Sequence, residues 1–257
     1  MYSGIKNLWP ELIEAKNYCL KEDLDIIKAF NEKEKTRKEK YEKAKKDPKK
    51  AKDFEIRLDL IAEPFVGNPK ANIIVLAANP GVSIGVRELD LYKKHPKFKT
   101  DIIKYHRDHK SITYPYYYFN PDYDAHPGYD WATARFNSLQ KESEIDWKVL
   151  SNKILYLQYF PYHSKNFKNI KKGEYLECQK YTFQLLANGI DRNALIICFR
   201  CFDLWDQALK DNIRPNLSLK TYENLIVLNS AQSVYVTKNN MKENDFEKLL
   251  KALKEKK

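Results

Sequence analysis

Three apolar runs in this sequence end in carboxamides and hydroxyls. Residues 73–78 lead into Asn79-Pro80-Gly81, and residues 154–159 contain Gln158 and continue through Tyr159, Phe160, Pro161, Tyr162, His163, Ser164 and Lys165. Residues 225–228 lead into Asn229, Ser230, Ala231, Gln232 and Ser233. Asn and Gln each carry donors and an acceptor, which suits a site that reads the hydrogen-bonding edge of a neutral heterocycle. An amide takes up no proton at neutral pH, so an Asn beside a scissile bond would act by orienting water, through geometry and electrostatics. The bland alternative is a strand-to-loop turn, since Asn, Pro and Gly all favour turns.

These residues need a scaffold. Four short apolar runs (73–78, 154–159, 195–199, 225–228) alternate with helical patterns over 176–186, 202–209 and 246–253. Continuous apolar strands alternating with helices predict an α/β fold with a parallel sheet covered on both faces. Residues 1–54 form a basic N-terminal extension, read as helical over 10–54 from Leu12, Ile13, Leu20, Leu24, Ile27 and Phe30 at near-helical spacing and broken at Asp47-Pro48. Residues 55–257 then form the main domain. Residues 82–146 form a long aromatic insert between the first two strands, with Tyr114, Tyr116, Tyr117, Tyr118, Phe119, Tyr123, Tyr129 and Trp131. Ligands of open parallel sheets bind beyond the carboxyl ends of the strands, so this insert is either a wall for a flat ligand or a packing layer.

Composition excludes several classes. With 43% hydrophobic and 32% charged residues the 257-residue chain is globular and soluble in type, and one decorated α/β domain accounts for its length. Its 7 glycines form neither a G-x-G-x-x-G nor a Walker A loop. No apolar run approaches the roughly 18 residues of a membrane span. Lys6, Pro10, Glu11 and Glu14 interrupt any secretory core, so a cytoplasmic protein is expected. Cys198 and Cys201 read as buried packing groups, and Cys19 and Cys178 stand alone, which indicates neither a disulfide framework nor an iron–sulfur cluster. His106 and His109 lack companion ligands at metal-site spacing, so neither metal nor cofactor is expected.

The net charge of +11 is concentrated. Residues 33–52 hold eleven basic side chains, Lys45 and Lys46 among them, against Glu34, Glu39, Glu42 and Asp47. That run carries +7 and leaves +4 for the rest of the chain. It suits a polyanion-binding arm, while a solvated helix face laced with i,i+4 pairs is the commoner outcome for such runs.

Taken in order, Glu63-Pro64-Phe65-Val66-Gly67-Asn68-Pro69, the apolar strand, Asn79-Pro80-Gly81 and Gln158-Tyr159-Phe160-Pro161 resemble the uracil-DNA glycosylase superfamily, nearest its single-strand-selective type. The resemblance covers residues 63–240. It implies a three-layer α/β/α domain around a central four-stranded parallel sheet, and a monofunctional enzyme that flips a base out of DNA and hydrolyses its N-glycosidic bond. It implies catalytic roles for Asn79, which orients water, and for Asn229, which stands where the family has a His. Gly81, Gln158, Tyr159, Phe160, His163 and Tyr117 would bind the base, and Ser164, Lys165, Ser233, Tyr235, Lys238, Lys45 and Lys46 the DNA. Gln158 replaces the family's usual Asn and Asn229 cannot become cationic, so a modified base is expected rather than uracil. Glucosylated hydroxymethylcytosine in phage DNA, removed as anti-phage defence, would fit. DNA is the expected partner, with no membrane and no obligate protein partner. The alternative is a nucleic-acid-binding module that retains the fold without the chemistry.

Overall fold

The computed structural model describes residues 5–9, 11, 18–44, 52–82, 92–108, 112–124, 126–171, 173–230 and 232–254. The four apolar runs form strands β3 (Ile73–Ala77), β4 (Ile154–Gln158), β6 (Leu195–Cys198) and β7 (Leu225–Val227). They lie parallel in the order β4-β3-β6-β7. Every residue of β3, β4 and β6 is buried, as expected where a strand is covered on both faces.

The sheet has five strands and is mixed, which corrects the expected four-stranded parallel sheet. Strand β2 (Phe65–Gly67) pairs antiparallel with β4 at the edge, Phe65 facing Leu157 and Gly67 facing Leu155. With Pro64 before it and Gly67 at its end, β2 has too few apolar residues to read as a strand. A separate two-stranded antiparallel sheet joins β1 (Ile56–Arg57) to β5 (His163–Ser164).

The first described helix is α1 (Lys21–Lys43), shorter than the expected 10–54 span. Acidic Glu22 and Asp23 occupy its first turn and Lys40 and Lys43 its last, as the helix dipole favours. It is not a free extension. Ile27 and Phe30 join the same hydrophobic cluster as the sheet, and the Asn31 side chain bonds the backbone N–H and C=O of Ile56 at 2.9 and 2.8 Å. The Asp47-Pro48 break lies outside the described residues.

The insert folds as α2 (Pro96–Asp108), two 3-10 turns at Tyr117–Phe119 and Pro121–Tyr123, α3 (Pro127–Ser143) and α4 (Trp147–Lys153). Helices α5 (Gln179–Asp191), α6 (Phe202–Asn212) and α7 (Glu243–Lys254) follow β5, β6 and β7 close to their predicted places. No helix among the described residues is long and apolar enough to cross a membrane.

Gly67 sets the end of β2. Its φ of 108° is accessible mainly to glycine, and a Cβ there would meet the Ile154 carbonyl oxygen at 2.1 Å. Gly67→Ala is expected to destabilise the fold by at least about 2 kcal/mol, read as a lowered urea midpoint with an unchanged m value.

Candidate functional site

The strand order reverses beside β3: the chain runs from β3 to β4 on one side and then passes back over it to β6 on the other, and such a reversal opens a crevice beyond the carboxyl ends of the strands. A cavity of about 720 Å³ occupies this place, within the range of small-molecule sites. Asn79 and Gly81 reach it from β3, Gln158 from β4, and Phe199, Arg200 and Cys201 from the end of β6. Tyr116, Tyr118 and Trp131 of the insert line it too, so the insert is a wall of this cavity.

Gln158 is 6% exposed, and its Oε1 is buried with no hydrogen-bond partner. A buried carbonyl left unpaired costs about 1–3 kcal/mol, which a ligand donor would recover. Asn79 is held firmly. Its Nδ2 donates to the Pro80 carbonyl at 2.9 Å and to Ser164 Oγ at 3.0 Å, with the Ser164 carbonyl at 3.3 Å. Ser164 Oγ in turn donates to the Asn166 carbonyl at 2.9 Å. Asn79 Oδ1 is thereby the oriented acceptor end of the amide.

Beneath these two amides sits a buried ion pair that sequence reasoning missed. Glu63 is 4% exposed and His163 9%. His163 Nδ1 lies 3.0 Å from the Gly81 carbonyl and Nε2 lies 3.0 Å from the Ile61 carbonyl, with Glu63 Oε1 at 3.5 Å. Carbonyl oxygens only accept, so both ring nitrogens are placed to donate, an arrangement that favours the imidazolium. Burial alone would lower the His163 pKa, but Glu63 and the two carbonyls outweigh it and raise it. Burial likewise pushes Glu63 up, and His163 and Tyr118 pull it below the usual carboxylate range. Tyr118 keeps its proton, because burial and Glu63 both raise its pKa, and it donates to Glu63 Oε1 at 2.6 Å.

His126 provides a different protonation state at the same cavity. Burial pushes its pKa down to about 4, so it is neutral at pH 7. Its Nδ1 accepts the Gly128 N–H at 2.8 Å and caps α3, which puts the proton on Nε2.

Several expected site residues lie elsewhere. Tyr117 does not line the cavity: the 3-10 turn sends it into the core, where its ring meets Phe98 edge-on at 5.5 Å, while Tyr116 and Tyr118 face the site. Tyr159 and Phe160 are buried away from the cavity, Tyr159 against Phe183 and Trp205 and Phe160 against Tyr162. Their N–H groups still bond the Ala77 and Ala78 carbonyls, continuing the pairing of β4 with β3. Asn229 is exposed and outside the cavity. Its Nδ2 donates to the Met241 and Asn239 carbonyls, so it braces its own loop. Gln232 and Val234 of that loop reach the cavity instead.

His163, expected to contact base, sugar or phosphate, lines the cavity but has both nitrogens committed to protein carbonyls. Ser164 and Lys165, expected to contact DNA, line the cavity, Lys165 exposed. Ser233, Tyr235 and Lys238 do not line the cavity; the Lys238 ammonium pairs with Glu247 at 4.0 Å. Lys45, Lys46 and His109 lie outside the described residues. Within α1 the basic run is partly neutralised, Arg37 by Glu34 at 2.6 Å and Lys38 by Asp53 at 2.8 Å. Among the described residues no group of three metal-ligating side chains converges. The sulfur pKa values of Cys198 and Cys201 are raised by burial, to about 12 and about 11, so neither is a ready thiolate.

The ion pair makes stability depend on pH in a defined way. The Glu63 contribution is present above its unfolded pKa near 4.5 and lost as pH falls through its lowered folded value. The His163 contribution is complete below pH 6.5 and lost as pH rises through its raised folded value. His163→Gln is expected to destabilise the protein by about 3 kcal/mol at pH 6 and to abolish the alkaline decline above pH 6.5. Denaturation curves from pH 5 to 9 test this, and an unchanged slope in the variant would show the ring to be neutral.

Comparison with protein-family models, with curated proteins and with solved structures finds no match to this chain.

Proposed function

We propose that this protein is a monofunctional DNA glycosylase that draws a modified base into the cavity beyond β3 and β4. One observation carries the reading: Asn79 and Gln158, at the ends of adjacent parallel strands, open into one aromatic-walled cavity in which the Gln158 carbonyl is buried and unpaired. In this reading Gln158 reads the hydrogen-bonding edge of the extruded base between Tyr116 and Tyr118 on the insert side and Phe199 opposite. Asn79, its nitrogen fixed by Ser164, turns Oδ1 to a water beside the glycosidic carbon. The glycosidic bond breaks with its electron pair leaving on the base, the cation-like sugar is stabilised by flanking phosphates, and the oriented water adds to the sugar carbon while its proton passes to the departing base anion.

The parallel order β4-β3-β6-β7 supports the three-layer α/β/α arrangement of the uracil-DNA glycosylase superfamily, with β2 added at the edge. A cavity of about 720 Å³ is generous for a bare pyrimidine and favours a bulkier base, such as a glucosylated hydroxymethylcytosine of phage DNA. Action on DNA in the cytoplasm, as anti-phage defence, follows from that substrate. A second reading, a nucleic-acid-binding module without catalysis, has a specific observation in its favour: Asn229, which stands in the place of the family's His, spends its amide nitrogen on its own loop.

Oligonucleotides carrying uracil, hydroxymethylcytosine or glucosylated hydroxymethylcytosine, treated with protein and then alkali, separate the two readings. Strand breaks are expected on a modified cytosine, and Asn79→Ala is expected to slow base release by at least about 100-fold with DNA affinity retained. Binding without breaks on every substrate favours the module, and full turnover by Asn79→Ala removes Asn79 from the mechanism.

A further inference from the structure

The charge lining the cavity is one-sided. Apart from the Glu63–His163 pair, the ionised residues on its walls are Lys52, Arg135, Lys165 and Arg200, all cations. Arg135 and Arg200 differ from the two lysines in how they are held.

Arg135 projects from α3 with its guanidinium carbon 5.0 Å from the Trp131 ring centre and 4.7 Å from that of Tyr235. Its own carbonyl accepts the Val236 N–H at 2.9 Å, which locks α3 to the loop after β7. Its Nε is buried and has no hydrogen-bond partner. Arg200, exposed, follows β6 at the same cavity. Both cations act on Tyr156, where they oppose the upward push that burial gives its hydroxyl. Neither has a carboxylate partner among the described residues, whereas Arg37, Arg57 and Arg214 each do.

A guanidinium stacked between two rings has already lost its rotamer freedom, and its fork matches the oxygens of a phosphate. A buried N–H without an acceptor adds a reason for an anion to enter. We propose that Arg135 and Arg200 form a phosphate subsite at the rim of the cavity, which grips the phosphodiester flanking the nucleotide whose base enters beside Gln158. The phosphodiester as source rests on the glycosylase reading; a free mononucleotide has the same phosphate chemistry and is separated from it by experiment.

The probe is a single-stranded oligonucleotide with one tetrahydrofuran abasic site, which needs no knowledge of the base. A matched oligonucleotide replaces the two linkages flanking that site with uncharged methylphosphonates, and deoxycytidine 5′-monophosphate serves as the free nucleotide. For the intact protein, the charged oligonucleotide is expected to bind about tenfold more tightly than the neutral one at low salt. Arg135→Gln with Arg200→Gln is expected to remove that difference and to lower the salt slope by about 0.7, the share of one single-strand phosphate. Lysine at both positions is expected to recover part of the affinity, because charge returns without the fork. If the double variant fails to fold, Arg200→Gln alone, at an exposed position, is expected to remove part of the difference.

Equal weakening of the charged and neutral probes by the arginine variants, or no weakening of either, would overturn the subsite. Arginine-dependent binding of the mononucleotide alone would keep it and assign it to free nucleotides. Because every readout is binding, a protein that grips phosphate yet releases no base keeps this site and loses the glycosylase reading. One that releases base with no arginine dependence does the reverse.

Discussion

Two charges taken out of water must find compensation, and the way Glu63 and His163 find it organises the ligand end of this molecule. A buried pair recovers its desolvation cost only when its remaining donors and acceptors are also satisfied. Here the satisfying groups come from separate stretches of chain: Tyr118 from the insert, the Gly81 carbonyl from the turn after β3, and the Ile61 carbonyl from the segment before β2. One electrostatic requirement therefore fixes the insert, the Asn-Pro-Gly turn and the approach to the edge strand relative to each other. The cavity is the space these three leave.

The same requirement explains why α1 belongs to the scaffold. Asn31 holds the backbone of Ile56, and Ile56 and Arg57 pair with Ser164 and His163. Ser164 Oγ accepts from Asn79. Support thus runs from an N-terminal helix through a two-residue strand pair to the amide beside the cavity. The charges of α1 serve this docking as well, since buried Glu34 accepts from both Arg37 and Lys168.

What the sequence discloses follows the range of the interactions. The four parallel strands were legible because strands covered on both faces are apolar throughout, and Asn79 and Gln158 were legible because strand ends are where such sheets place ligands. Strand β2 was not, for its three residues carry no periodicity and its identity comes from pairing with Leu155 and Leu157. Among Tyr116, Tyr117 and Tyr118, a 3-10 turn sends the middle ring inward, a choice that composition cannot reveal. Tyr159 and Phe160 misled because their backbones extend the strand while their rings enter the core. Glu63 stood within the motif that carried the family resemblance, yet its partner lies a hundred residues on, so only the fold gives it a role.

The cavity combines two chemistries that rarely meet by accident. Its floor offers oriented neutral amides and a self-compensated ion pair, which suit an uncharged planar group read by hydrogen bonds. Its rim carries Arg135 and Arg200, which have no carboxylate partner among the described residues and suit an anion. A free heterocycle would leave the rim unused and a bare polyanion would leave the floor unsatisfied. On the proposed reading a nucleotide would satisfy both at once, its base toward the amides and its phosphate toward the arginines.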